Sequence, residues 1–482
     1  MSESILKGLT GSEVVVSDSD MRAFEAGLKG SLFRPGSAQH EEARHLWNGL
    51  IDKRPGLIVR CRDVADVRAC IDLARDRGVL LAVRAGGHNV AGNATCDGGL
   101  VVDLSEMRAV RLDPKQGVVH IEAGAKLGDV DGATYPHGLA TPMGVVTATG
   151  YAGLTLHGGM GWQLRKHGLA ADNLTAVDIL TADGRLRHAD SKEHPELFWA
   201  LRGGGGNFGI VTSFTARLHP IPREVLFAVP IFPLDSAGEV LRFLREYIAQ
   251  APDALMVLAA FWTAPEIPEI PAKHRGGHAL FVLGCYLGPA QEGESLLAPL
   301  RSCRPTIADL TSRMPWVEVQ KFFDPDYPNG RRYYWKSTFV HELTDPIIGA
   351  LASHAAARPS MLSSLDLWCL GGTFGRIGPS ETAFGARDAG FLVTYEANWD
   401  DREADQANID WARASLRQIE GLTRGRTYLN FAGLAEEGER LVRSSFGDNY
   451  ARLQAVKATY DPQNLFRSNF NVRPNGQGPH PA

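Results

Sequence analysis

The sequence predicts an α+β fold, and three observations carry that prediction. A strand–helix–strand pattern runs from Leu57 to Val83, and glycine-rich segments then interrupt short strands as far as Val211. Beyond His219-Pro220-Ile221-Pro222, longer alternating strands interleave with amphipathic helices. After about Gly421 the pattern becomes short-ranged again.

In the first region, Leu57-Ile58-Val59 is a short apolar strand and Asp63 is placed to cap a helix whose apolar face is Val64, Val67, Ile71 and Ala74. Gly78 stops that helix, Val79–Val83 is the next strand, and Gly99–Leu104 a further one. Val177–Thr181 and Arg185–Arg187 read as a hairpin closed by Ala182-Asp183-Gly184. Glu196–Leu201 forms a short helix leading into Gly203–Gly206.

In the second region the expected strands are Val225–Pro233, Leu255–Thr263, Ala279–Leu287, Tyr333–Val340, Leu365–Gly371 and Leu392–Trp399. Val240, Phe243, Leu244, Tyr247 and Ile248 share one helix face, and Ile409, Trp411, Ala412, Leu416 and Ile419 another. An antiparallel sheet with helices on one side fits this pattern, leaving the other face to cover a ligand.

Composition excludes several classes. The 482 residues are 44% apolar and 22% charged, ordinary for a soluble globular chain. A net charge of -5 without a basic stripe argues against nucleic acid. Met1–Asp20 lacks the apolar core of a signal peptide, no apolar run is long enough to span a bilayer, and the cytoplasm is the expected location. The cysteines at 61, 70, 96, 285, 303 and 369 have no paired spacing, so neither a disulfide framework nor a metal site is expected. No GxGxxG opens a βαβ unit, which counts against a nicotinamide dehydrogenase.

Three glycine-rich constellations bear on chemistry. In Arg84-Ala85-Gly86-Gly87-His88-Asn89-Val90-Ala91-Gly92, successive glycines after a strand let backbone amides converge on an anion such as a pyrophosphate, with a histidine beside it. The same residues would also make an ordinary turn with an exposed histidine. Gly150-Tyr151-Ala152-Gly153 and His157-Gly158-Gly159-Met160-Gly161 suit either backbone pressed against a flat ligand or a surface loop. Gly203–Gly206, followed by Asn207-Phe208-Gly209-Ile210-Val211, reads as a linker or as a loop held inside a domain.

Taken in order, these segments resemble the berberine-bridge-enzyme-like group of the vanillyl-alcohol-oxidase superfamily, with its PCMH-type FAD-binding domain. The resemblance extends to Gly168-Leu169-Ala170-Ala171-Asp172-Asn173-Leu174 and Leu197-Phe198-Trp199-Ala200-Leu201-Arg202-Gly203. Tyr428-Leu429-Asn430-Phe431 and Lys457-Ala458-Thr459-Tyr460-Asp461-Pro462-Gln463-Asn464-Leu465-Phe466 carry it to about residue 475. It implies an N-terminal segment (1–49), an FAD-binding domain in two parts (50–222 and 424–473), an inserted substrate-binding domain (223–423), and a disordered tail (474–482). It implies FAD bonded through its 8α carbon to His88. Arg84, Ala85, Gly86, Gly87, Asn89, Gly92, Thr149, Gly150, Gly153, Gly158, Gly159, Gly161, Gly209, Ile210, Val211, Asn469 and Asn471 would surround the cofactor, and Asn430 would contact its edge.

The chain also departs from the family. Val146 stands where some members have a second, cysteinyl attachment, so a single bond is expected. Thr149 falls at the position proposed to gate oxygen. Arg376 stands where plant-type members carry a glutamate base, and Met160 and Phe431 replace their tyrosines. The resemblance implies hydride transfer from a small-molecule alcohol, sugar or amine to flavin N5, with O2 reduced to H2O2. A dehydrogenase using another acceptor and a flavin-binding protein without turnover are the alternatives. The base is sought among Tyr428, Tyr395, Tyr333 and His341. Arg376 would bind an anionic substrate group or balance reduced-flavin charge, or else serve solubility at a sheet edge.

Overall fold

The computed structural model describes residues 3–423 and 425–476. In the first lobe, β1 (Ser31–Phe33), β2 (Leu57–Arg60), β3 (Leu81–Arg84) and β4 (Leu100–Asp103) form a sheet in the order β1-β2-β4-β3. β2 and β3 run parallel to β4, and β1, from the N-terminal segment, adds an antiparallel edge. The crossover between β2 and β3 is α1 (Val64–Arg77). The Asp63 carboxylate accepts from the Ala65 and Asp66 amides at its start, and Gly78 ends it at φ 69°.

A second sheet in this lobe is built from β5 (Val110–Asp113), β6 (Val118–Glu122), β7 (Leu174–Leu180), β8 (Leu186–Asp190) and β9 (Ile210–Arg217). All pairings are antiparallel, in the order β8-β7-β9-β6-β5. The β7–β8 hairpin turns at Gly184, φ 73°. Between β6 and β7 lie α2 (Leu127–Thr134) and α3 (Tyr151–Leu156).

The inserted lobe is one nine-stranded antiparallel sheet. Its strands are β10 (Glu224–Ala228), β11 (Pro230–Pro233), β12 (Leu255–Thr263), β13 (His278–Tyr286), β14 (Ala308–Asp309), β15 (Ser312–Pro315), β16 (Arg332–Val340), β17 (Ser364–Cys369) and β18 (Phe391–Trp399). The spacing predicts one strand over 225–233, but the chain makes two. Val229 leaves the ladder and its amide bonds Thr311 Oγ1 at 3.1 Å, so β10 and β11 pair with separate parts of β13.

One face of this sheet carries α4 (Ala237–Gln250), α6 (Asp345–Ala356) and α7 (Asp405–Glu420); α5 (Trp316–Gln320) lies toward the first lobe. The two-residue period decides what each strand shows to which side. On β12, Val257, Ala259 and Phe261 pack under the helices, while Met256, Leu258 and Ala260 join Trp162, Leu164 and Leu169 of the first lobe. On β18, Val393, Tyr395 and Ala397 take the helix side.

After α7 the chain returns to the first lobe. α8 (Tyr450–Tyr460), Phe466, Phe470 and Val472 enter its core. A buried ion pair fixes this return. Lys457 Nζ, 0% exposed, donates to Asp461 Oδ2 at 2.6 Å, Asn207 O at 2.7 Å and Phe466 O at 2.9 Å. Asp461 in turn accepts from the Leu465 and Phe466 amides. The expected disordered tail lies outside the described residues from 477 onward. All six cysteines are free, and among the described residues no helix is long and apolar enough to cross a membrane.

Lys457→Ala leaves Asp461 buried and unpaired, a loss of about 3–5 kcal/mol. The variant is expected to melt well below the parent and to become protease-sensitive first near residue 460. An unchanged melting temperature would show that the pair does not hold the return segment.

Candidate functional site

A cavity of about 250 Å³ lies between the lobes. Its near wall is backbone from two loops of the first lobe. A Cβ on Gly150 would sit 2.5 Å from Gly86 N and 2.6 Å from Gly86 Cα, so the two chains touch where no side chain fits. Gly87 (φ 71°) then turns the chain and brings His88 to the cavity wall. The amides of Gly86, Gly87, His88 and Asn89 have no protein acceptor among the described residues. The second loop is held by the inserted lobe: Thr147 N donates to Asp324 Oδ1 at 2.8 Å, and Gln320 Nε2 to Gly144 O at 3.3 Å.

The His88 imidazole stacks on Trp47 with ring centroids 4.9 Å apart, and Trp47 stacks on Tyr333 at 3.7 Å. Its Nδ1 lies 3.5 Å from Thr149 Oγ1. Burial, and then the charge of Lys126, lowers its pKa to about 3, so the ring is neutral with a free lone pair at neutral pH. Gly153 and Gly206 line the same space, and a Cβ on either would meet no atom within 4 Å. His157 Nε2 and Asn469 Oδ1, also in this wall, are buried without partners.

Across the cavity stands Tyr428, 2% exposed. Its hydroxyl oxygen accepts from Asn430 Nδ2 at 2.8 Å and from the Gly159 amide at 3.1 Å, which leaves its own proton free for another partner. Burial pushes its pKa up to about 12 against the pull of those donors. The inserted sheet adds two carboxyls, Asp366 on β17 and Glu396 on β18. Tyr327 Oη donates to Glu396 Oε2 at 2.7 Å, and Thr394 Oγ1 to Oε1 at 3.1 Å. Burial raises Glu396 to about 7; burial, and then the Glu396 charge, puts Asp366 well above the usual carboxylate range.

Of the residues expected at the cofactor, Ala85, Gly86, Gly87, His88, Asn89, Thr149, Gly150, Gly153, Gly209, Ile210, Val211 and Asn469 line the cavity. Others do not. Arg84 points away, pairing with Asp103 at 2.7 Å and bonding Ala43 O. Gly92 packs on Ile51, and Asn471 is outside the lining set. Gly158, Gly159 and Gly161 are packing positions: side chains there would strike Phe384, Leu154 or the Met143 carbonyl.

The catalytic expectations need more correction. Tyr395 has the parity of the helix face, and its hydroxyl pairs with His354 Nδ1 at 2.9 Å. Arg376 is not on a strand; it ends a short helix, 61% exposed, and pairs with Asp253. Tyr333 serves the stack under Trp47, with its hydroxyl on Pro328 O at 2.6 Å. His341 faces Asp388 at 3.7 Å, outside the cavity lining. Asp366, Glu396, Tyr327 and Trp47 were missed. The available signal for the first two was a single acid within an otherwise apolar, alternating strand.

Residues 55–190 match the family described as FAD binding domain, and residues 427–473 the one described as berberine and berberine like. An uncharacterized FAD-linked oxidoreductase of Bacillus subtilis is 31% identical, over 93% of this chain and 97% of its own. The chain belongs to the berberine-bridge-enzyme-like FAD-linked oxidoreductases. The crystal structure of 6-hydroxy-D-nicotine oxidase from Arthrobacter nicotinovorans is similar at TM-score 0.82 and 28% identity, covering 92% of this chain and 98% of that one. Glucooligosaccharide oxidase from Acremonium strictum, which carries a 6-S-cysteinyl, 8α-N1-histidyl FAD, shares the fold at TM-score 0.85 and 22% identity, covering 95% of this chain and 100% of that one.

The residues present fit FAD. The glycine wall supplies amides and room for a pyrophosphate, and the unpartnered His157 and Asn469 atoms suit the polar edges of a flat heteroaromatic ring. Gly150→Ala is expected to part the two loops and give protein with less than about half the flavin of the parent, read from the ratio of flavin to protein absorbance. Full flavin content would show that the contact is dispensable.

Proposed function

We propose that this oxidoreductase is an oxidase that holds FAD through one bond to His88 and oxidises a small-molecule C–H, with O2 as acceptor. The observation that carries the reading is the placement of a neutral, Trp47-stacked imidazole at the junction of the two glycine loops, in the same cavity as Tyr428 and the Asp366–Glu396 pair. The neutral ring keeps a lone pair for the 8α carbon. No cysteine lines the cavity among the described residues, which favours a single attachment. When bound, FAD supplies N5 as the hydride acceptor and passes two electrons to O2.

The protein's part is to take the proton that leaves the substrate O–H or N–H. At about 12, Tyr428 is a phenol at neutral pH and suits orienting the substrate heteroatom with its free proton. Glu396, at about 7, is matched to accept a proton near neutrality, so a strand carboxyl rather than a tyrosine or histidine serves as base.

Acid precipitation of the purified protein should give a yellow pellet, with the flavin mass on the peptide containing His88; a colourless pellet removes the covalent attachment. His88→Ala should release the flavin on denaturation. With a substrate in hand, stoichiometric peroxide supports the oxidase, and turnover with a dye but not O2 supports a dehydrogenase. The kcat/KM of the parent should rise with pH through about 7 as Glu396 ionises, and Glu396→Gln should lose that limb along with about 10²-fold or more in rate. A limb that survives the substitution assigns the base elsewhere.

A further inference from the structure

We infer that the substrate is a protonated amine with an apolar body, its nitrogen held by Asp366 and Glu396. The inference rests on the cavity being the oxidase site proposed above, and it narrows the substrate from any C–H donor to one charge class.

The lining of the cavity is one-sided. Among the described residues, Asp366 and Glu396 are its only acidic side chains, and no lysine or arginine lines it. Asp366 is 3% exposed and its Oδ1 is buried without a hydrogen-bond partner. Glu396 is likewise 3% exposed, with one donor on each oxygen. Arg358 is the cation that acts on Asp366, but it bonds the Phe261 carbonyl and is not in the lining.

Without a cation beside it, burial and the Glu396 charge keep the Asp366 carboxyl protonated, and its unpartnered Oδ1 still needs a donor from a ligand. An ammonium N–H supplies it together with the opposite charge. An anionic substrate would meet two acids and no base. The apolar part of the wall is Leu258, Phe323, Trp335, Trp368 and Phe431, which suits hydrocarbon and the face-on contact that rings make with a cation, and Trp368 adds one buried indole N–H without an acceptor.

The same placement serves the reaction. An ammonium cannot release hydride from its α carbon until it loses an N–H proton. The carboxylate that binds it receives that proton. With FAD bound, the α C–H would leave with its electron pair as hydride to the flavin, a C=N bond would form, and O2 would take the two electrons with two protons as H2O2. Water adds to the imine afterwards, giving a carbonyl compound and an amine.

The test is titration of the oxidised holoenzyme, without O2, following the flavin absorbance with four probes: N-methylbenzylamine, its neutral isostere benzyl methyl ether, phenylacetate, and cellobiose. The amine is expected to perturb or bleach the flavin at a concentration roughly tenfold or more below the ether, with phenylacetate and cellobiose weaker still. In Asp366→Asn and Glu396→Gln the amine should fall to the level of the ether. The inference is overturned if the ether, acid or sugar matches the amine, if no probe is preferred, or if both variants keep the preference. Bleaching by cellobiose with peroxide on admitting air would sink the amine assignment and leave the oxidase standing. Bleaching by the amine without peroxide would do the reverse.

Discussion

The site depends on two glycine backbones in contact. Gly86 and Gly150 approach until neither has space for a methyl group, and this meeting sets where the rest of the wall can be. It places His88, two residues beyond Gly86, next to Thr149, the residue before Gly150. Neither loop could hold that position alone. The first is braced by Trp47, itself stacked on Tyr333 of the inserted sheet. The second is tied to Asp324 and Gln320 of the inserted lobe. This wall of the cavity is therefore first-lobe backbone held in place by second-lobe side chains.

The fold was legible wherever a local rule has one solution. Asp63 and Gly78 bound their helix because a cap and a left-handed glycine each satisfy amides or carbonyls that have no other partner. The glycine loops were legible as closely approached backbone for a related reason: glycine in number after a strand is expensive unless something approaches the chain closely. The rule does not say what approaches. At Gly86 and Gly150 it is another loop, and at Gly158, Gly159 and Gly161 it is the protein's own side chains or backbone, so those three do not face the cavity at all.

The catalytic face was less legible because strand parity is invisible without the register. Tyr395 and Glu396 are neighbours, and a one-residue choice decides which of them meets the cavity. The helices settle it: Tyr395 joins Trp411 and His354 beneath them, and Glu396 is left facing the first lobe. Arg376 misled for a different reason. A strand was expected to run on to Gly371, but the chain turns at Gly371 and Gly372 into a short helix at the surface, and the residue next to Asp253 inherits no strand position.

The order of the chain adds a constraint on how the site can be assembled. The far wall includes Tyr428 and Asn430, and the floor includes Phe466, Ser468, Asn469 and Phe470, all C-terminal to the inserted lobe. Phe466 is held by Lys457, whose three acceptors are Asp461, the Phe466 carbonyl and the Asn207 carbonyl of the glycine-rich loop before β9, whereas the Tyr428 backbone bonds Ser337 of β16. The lysine is thus the joint between the first pass through the lobe and the last. It pays for its burial with a carboxylate and two carbonyls, and the Asp461 carboxylate caps the turn that delivers Phe466. Until that turn has formed, the cavity lacks Phe466 and the lining residues that follow it. The cavity that His88 lines is therefore closed only by the end of the chain.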